Sequence, residues 1–267
     1  MAVQDSLGGD RLSSSGQLLQ HYRALSQRTL TIVDLETTGH GARTSRVTEV
    51  SVLQASLENG ILNQHTQLMN PEVPIPAAIT QFTGISQAMV DAAPVSEQVW
   101  PQFLPRLREH VLTAHNLSFD YAFLQAEYED LGIVFEREPG DRLCTVALSR
   151  LMLSDLPSRR LPDLVQHFGF RVGRSHRAEA DALACWLLAE RLLGEIRDEA
   201  DEVLLAKFGR QWIRLRDAAA LLNLSTHQAR QVLQAAQLTV QTGRTGTLLY
   251  RRSQVDQVVA ERRSAEP

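Results

Sequence analysis

Two strand-like stretches, Val47 to Leu57 and Ile61 to Met69, meet at Glu58-Asn59-Gly60. Asn-Gly accommodates the positive φ angles of a tight reversal, so the two stretches are predicted to pair as a β-hairpin. A further strand, Leu30 to Leu35, precedes them and runs straight into acidic residues, and a helix with Leu18, Leu19, Tyr22 and Leu25 on one face (Gln17 to Ser26) comes before that. Beyond the Pro-rich link Asn70 to Pro76 the pattern changes. Short helical pieces lead to a strand at Val111 to Ala114 and a helix from about Ser118 to Leu131; then come a short strand near Leu143, two helical stretches and an amphipathic helix from Ala178 to Leu193. Three strands with a hairpin, followed by alternating helices and strands, define an α/β domain built on a mixed sheet flanked by helices.

The 267 residues suffice for one or two such domains. Residues 1–16 are rich in Gly and Ser and read as a mobile arm, residues 17–198 as the α/β domain, and the acidic stretch Gly194 to Glu202 as the boundary before a compact segment at 203–263. With 43% hydrophobic and 22% charged residues, the chain has the composition of a folded globular protein and not of a disordered one. Cys144 and Cys185 lie in apolar segments without a CxxC spacing, which indicates neither a zinc site nor a disulfide framework. No apolar run approaches the ~18 residues of a membrane span, and the N-terminus lacks a basic segment followed by an apolar one, so a cytoplasmic protein without a membrane partner is expected. The net charge of -4 conceals an asymmetry: residues 203–263 hold ten Lys+Arg against three Asp+Glu, and the remainder is strongly acidic. A basic tail on an acidic body favours a nucleic-acid partner for the tail.

Four acids and one histidine stand out. Asp34 and Glu36 are two apart at the end of the first strand, so their side chains share one face about 6–7 Å apart. Like charges so placed repel unless a cation compensates, and oxygen ligands at this reach suit Mg²⁺ or Mn²⁺. Taken alone, the pair also fits a solvated strand-to-turn segment. Asp120 stands in the first turn of a helix, where an acid is at home on dipole grounds alone, but it follows His115-Asn116-Leu117-Ser118-Phe119 at a strand-to-helix junction, where binding residues commonly sit. Asp181 shares a helical line with Cys185, Leu188 and Leu192, so its charge needs a partner or an exposed position. His176, five residues earlier, has the side chain suited to proton transfer near neutral pH, though a loop histidine is also an ordinary surface residue. Together these residues make up the inventory of two-metal phosphodiester hydrolysis.

Residues from about 28 to 194 resemble the DnaQ-like, DEDDh branch of 3'-5' exonucleases, a family with a ribonuclease H-like fold. Three ordered motifs carry the resemblance: Ile32-Val33-Asp34-Leu35-Glu36-Thr37-Thr38-Gly39, His115-Asn116-Leu117-Ser118-Phe119-Asp120, and His176-Arg177-Ala178-Glu179-Ala180-Asp181-Ala182. Asn70-Pro71 through Pro74-Ile75-Pro76 to Thr83-Gly84-Ile85 resembles the connecting segment, with Thr83 where the family usually has His. The resemblance implies that Asp34, Glu36, Asp120 and Asp181 hold two divalent ions, Mg²⁺ or Mn²⁺, and that His176 is the general base. It further implies that Thr37, Thr38, His115, Asn116 and Phe119 contact the terminal nucleotide, with Ile85 wedged near its base.

In the tail, Asp217 to Leu222, a turn at Asn223-Leu224, and Ser225 as N-cap ahead of Thr226 to Gln237 read as a helix-turn-helix. Leu222, Leu224, Ala229, Val232, Leu233 and Leu238 are its expected core. A hairpin wing from Leu238 to Arg252, with Gly243-Arg244-Thr245-Gly246 at its tip, and a last helix from Ser253 to Arg263 complete a small, mainly helical module. It resembles a MerR or excisionase-like winged helix-turn-helix, which implies that Gln228 and Gln231 face a DNA groove and that Arg244 and Arg251 reach phosphates. A dimerisation or protein-binding appendage is the competing reading of the same residues.

The expected function is removal of nucleoside 5'-monophosphates from the 3' end of DNA, with a polymerase or repair complex as a further partner. The alternatives are an RNA exonuclease, a polymerase III epsilon-like proofreading subunit, and a non-catalytic DNA-binding regulator.

Overall fold

The computed structural model describes residues 14–243 and 246–265. The first thirteen residues of the expected mobile arm, and Arg244, lie outside the described residues. Helix α1 spans Ser15–Ser26, so the last two residues assigned to the arm are helical. Contacts gather the chain into two compact units, one of Leu25–Leu148 with Ser158–Gly194, the other of residues up to Ala24, Ser149–Pro157 and Glu195 onward. This division differs from the expected boundaries: most of α1 groups with the C-terminal residues. The later division falls between Gly194 and Glu195, within the acidic stretch expected as a boundary, whose residues continue one helix to Asp198 and start another at Asp201.

The larger unit is built on a five-stranded mixed sheet in the order β3-β2-β1-β4-β5. Its strands are β1 (Leu30–Thr37), β2 (Val47–Ser56), β3 (Gly60–Leu68), β4 (Val111–Ala114) and β5 (Arg142–Cys144). The expected hairpin is present: β2 and β3 pair antiparallel, with Gly60 at φ +65° opening β3. β1 runs antiparallel to β2, and β4 and β5 follow it parallel. The connecting helices are α2 (Ala77–Thr83), α3 (Gln87–Asp91), α4 (Ser96–Arg108), α5 (Leu117–Asp130), α6 (Thr145–Met152), α7 (Leu161–Phe168) and α8 (Ala178–Asp198).

Val33, Leu35, Val50 and Val52 from the sheet pack with Trp100, Phe103, Phe123 and Tyr128 from α4 and α5 in one core. Each such side chain contributes roughly 1.5–3 kcal/mol of burial. One buried acid stitches this core together: Glu127 on α5, 3% exposed, accepts hydrogen bonds from the Arg46 guanidinium, the Val47 N–H and the Trp100 indole N–H. No helix among the described residues is long and apolar enough to cross a membrane.

In the smaller unit, α9 (Asp201–Gly209) leads to β6 (Trp212–Arg214), α10 (Leu215–Leu221), α11 (Thr226–Ala235), β7 (Val240–Thr242), β8 (Leu248–Arg251) and α12 (Arg252–Ala265). The strands form a three-stranded antiparallel sheet in the order β6-β8-β7. β6 escapes a reading by periodicity because three residues are too few to show alternation. Leu222, Ala229 and Leu233 are buried in a core with Ile213, Tyr250 and Val255, and Leu224, Val232 and Leu238 pack against it. Ser225 caps α11 as expected, through a full capping box with Gln228.

Candidate active site

The site forms where β1 outruns its parallel neighbour. Pairing of β1 with β4 covers only Leu30 to Ile32, so the strand's last residues stand free on that side, while the antiparallel pairing with β2 continues to Thr37. Asp34 and Glu36 fall in this overhang. The chain leaves β4 through Asn116, whose left-handed φ of 81° turns it abruptly into α5. Asn tolerates that conformation better than most residues. The turn places Asp120 in the first turn of α5, 4% exposed, where its carboxylate takes hydrogen bonds from its own backbone N–H and that of Leu35. A second left-handed residue, His176 at φ 63°, precedes α8, which supplies Asp181.

Carboxylate oxygens of Asp34, Glu36 and Asp181 lie within 4.8 Å of one another. They share with Asp120 and His176 a cavity of about 420 Å³. Three residues separated by up to 147 positions thus meet at one point, closer than the strand spacing of Asp34 and Glu36 alone suggests. The His176 N–H donates to Asp181 Oδ2 at 3.0 Å, and the His176 ring lies against Phe82 of α2, tilted by 33° with centroids 3.8 Å apart.

Crowding of acids sets the electrostatics. Burial, then the charges of Asp120, Asp181 and Glu36, push Asp34 well above the usual carboxylate range. Burial, Asp181 and Glu49 raise Glu36 to about 8, against an opposing pull from Arg177. Burial also raises Asp120 and Asp181, the first opposed by its two backbone hydrogen bonds and the second by His176. Burial and mutual repulsion thus disfavour ionisation of these groups together, a penalty that a divalent ion would relieve. The donor set, oxygen only and within the reach of one ion, fits a hard divalent metal.

Of the other expected substrate residues, Thr37, His115 and Phe119 line the cavity. His115 is committed to structure as well, its two ring nitrogens bonded to Thr145 Oγ1 and the Arg159 carbonyl at 2.9 Å each. Thr38, Asn116 and Ile85 are outside this lining. Thr38 faces a neighbouring cavity and accepts a hydrogen bond from the Arg46 N–H, and Asn116 spends its side chain on Ser118. Ile85 is fully buried and cannot wedge against a base: the left-handed Gly84 ends α2 and sends the next residue into the core. The apolar wall of the cavity is instead Ala78, Ile79 and Phe82 of α2. Phe82 is 55% exposed, an aromatic out of place on a short helix, and that was its signal in the sequence. Glu49, the one charged residue of β2, was equally visible; it is buried and forms a two-point ion pair with Arg177.

The RNase_T family profile, described as Exonuclease, matches residues 31–188. The chain belongs to the DnaQ-like 3'-5' exonuclease family. The DNA polymerase III PolC-type protein of Caldanaerobacter subterraneus subsp. tengcongensis is 32% identical over 167 residues, 62% of this chain and 12% of that protein. The DNA polymerase III subunit epsilon of Aquifex aeolicus is 28% identical over 186 residues, 69% of this chain and 90% of the subunit. This chain therefore spans only a small part of its PolC-type relatives and most of the epsilon subunit. In fold, the nuclease domain of 3'hExo, a DEDDh family member solved with rAMP, superposes with a TM-score of 0.51 at 18% identity, covering 62% of this chain and 92% of that one. The mixed sheet flanked by helices is thus the ribonuclease H-like fold of DEDDh exonucleases.

The family match ends at residue 188, ahead of the elements α9 to α12. There, α11 exposes His227, Gln228, Arg230, Gln231 and Gln234. Gln228 is tied into the capping box, its Oε1 accepting from the Ser225 N–H and hydroxyl. Arg251 is also committed: its guanidinium lies 4.2 Å from the Trp212 ring centroid and donates to the Arg210 carbonyl. Gln228 and Gln231 are both exposed, as expected, and Arg230 beside them is exposed as well.

Proposed function

We propose that this chain is a metal-dependent 3'-5' exonuclease that releases nucleoside 5'-monophosphates from the 3' end of DNA. The observation that carries the proposal is the meeting of Asp34, Glu36 and Asp181 oxygens within 4.8 Å, in a cavity that also holds Asp120 and His176. Two divalent ions, Mg²⁺ or Mn²⁺, held by these four acids would activate water and stabilise the leaving 3' oxygen. His176 takes the proton of the attacking water, its ring held against Phe82 and its backbone by Asp181. Phe82, Ile79 and Phe119 offer the terminal nucleotide an apolar surface, and Thr37 closes the cavity beside Glu36.

DNA is favoured over RNA because the relatives cited above are DNA polymerase III proteins, and a polymerase is on the same ground the proposed protein partner. The smaller unit is proposed to hold nucleic acid through the exposed face of α11, with Gln231 at the groove as first assigned and Arg230 in the role first assigned to Arg251. Such a tether raises the local concentration of substrate at an acidic domain that would otherwise repel it.

The test uses DNA and RNA of equal sequence, labelled at either end, with Mg²⁺, Mn²⁺ or EDTA, beside an Asp34→Ala control. Mononucleotides released stepwise from the 3' end of DNA, only with metal and not by the control, are expected. Degradation in EDTA, or an active Asp34→Ala variant, would overturn the proposal.

A further inference from the structure

Glu49 is an acid in β2, a strand whose ten residues are all buried, and its own side chain is 1% exposed. The β1–β2 register sets it directly across from Glu36, so two carboxylates face each other on neighbouring strands. Such an arrangement is unfavourable unless one of the two is compensated. Glu49 does not line the catalytic cavity. Its oxygens are taken up elsewhere: Oε2 accepts from Arg177 Nε at 3.0 Å and from the Ala178 N–H at 2.9 Å, and Oε1 accepts from Arg177 Nη2 at 2.5 Å. It is thus a fifth acid beside the site that is spent on holding the start of α8.

What it holds is strained. His176 has the left-handed φ of 63°, a conformation that non-glycine residues keep only when their surroundings enforce it. Two carboxylates do so here. Asp181 accepts the His176 N–H from one side, and Glu49 anchors Arg177 and Ala178 from the other. Asp181 is also a proposed metal ligand, and electron density it gives to a cation is withdrawn from its bond to His176. Glu49 has no such second duty, so its grip on residues 177 and 178 persists when the site is loaded. A fork of two parallel hydrogen bonds fixes direction as well as distance, which arginine can provide and lysine cannot.

We propose that Glu49 and Arg177 are a positioning pair that ties the start of α8 to β2 and thereby keeps His176 and Asp181 in register with Asp34 and Glu36. The inference rests on the exonuclease reading above, since it assigns the pair a purpose through His176 and Asp181. Neither residue touches the reacting atoms in this assignment.

The experiment compares the full-length wild type with Glu49→Gln, Arg177→Lys, Arg177→Met and the double variant Glu49→Gln/Arg177→Met, with Asp34→Ala as control. Steady-state degradation of a single-stranded DNA oligonucleotide in Mn²⁺ is followed at about 10 °C below each variant's own melting temperature. Glu49→Gln and Arg177→Met are expected to lower kcat about 10- to 100-fold with KM within about twofold, because misplacing a catalytic group affects the chemical step more than binding. Arg177→Lys should recover little of the loss, and the double variant should be no worse than the poorer single one. A second readout needs no turnover: in the metal-free protein the His176 ring should give one sharp NMR signal in wild type and a broadened or doubled one in Glu49→Gln. Variants that melt lower but keep wild-type kcat and a sharp His176 signal would reduce the pair to a fold support and overturn the inference. A wild type without metal-dependent exonuclease activity would instead sink the reading beneath it.

Discussion

Replacing Glu36 with Gln is expected to stabilise the metal-free protein while destroying its activity. Glu36 is held at about 8 in the folded chain, against an ordinary 4.5, chiefly by burial and by its acidic neighbours. A carboxyl raised in this way binds protons in the folded state that the unfolded chain has released. Its contribution to stability is therefore complete below pH 4.5 and is lost as pH climbs through about 8. The gap between those two values, at ~1.4 kcal/mol per pH unit, amounts to about 5 kcal/mol at pH 8 and above, and about 3 kcal/mol at pH 7. The substituted amide has no titrating proton and escapes the penalty. For a protein of this size ~1 kcal/mol moves the melting temperature by roughly 2–4 °C, so in EDTA at pH 8 the variant should melt roughly 10 °C above wild type. The two should converge near pH 4.5, and Mn²⁺ should raise wild type far more than the variant. Calorimetric melts in EDTA from about pH 4.5 to 9 check this. A variant that melts at or below wild type at pH 8, or a difference that does not grow with pH, would refute the idea that these acids are repelling one another.

Three further outcomes are expected. His176→Gln should lower kcat about 100- to 10,000-fold with little change in oligonucleotide affinity, measured by fluorescence anisotropy in Ca²⁺. Phe82→Ala removes the exposed ring on the cavity wall and should raise KM for single-stranded DNA about 5- to 150-fold, the range of one base–aromatic stack of about 1–3 kcal/mol. Arg230→Ala with Gln231→Ala should weaken binding of long DNA and flatten its salt dependence, yet leave hydrolysis of a trinucleotide unchanged; unaltered affinity for long DNA would favour a protein partner for α11.

Much of the fold was legible because its signals are local. Asn59-Gly60 between two strand-like segments is a strong local hairpin signal, and the order of three strands followed by alternating elements leaves few topologies open. Ser225 as a cap and the spacing of Leu222, Ala229 and Leu233 likewise depend on neighbours within a turn or two. Less was legible where a residue's surroundings depend on distant partners. Ile85 is apolar and sits in the connecting segment, but whether it faces a cavity or the core was decided by the left-handed turn at Gly84. Arg251 is an exposed-looking cation in a basic tail, and only the pairing of β6 with β8 puts the Trp212 ring under it.

The sequence by itself determined the order of the main strands and helices of the larger unit, the identity of the acids and the family, because residue type and spacing along a chain are enough for those. Tertiary structure alone decided that oxygens from β1 and α8 come within 4.8 Å, that Glu49 serves an arginine and not the cavity, and that Phe82 covers the His176 ring. Mutual repulsion, desolvation and ring contact act through space and fall off within a few ångströms, so they exist only once the sheet has brought far-separated residues together.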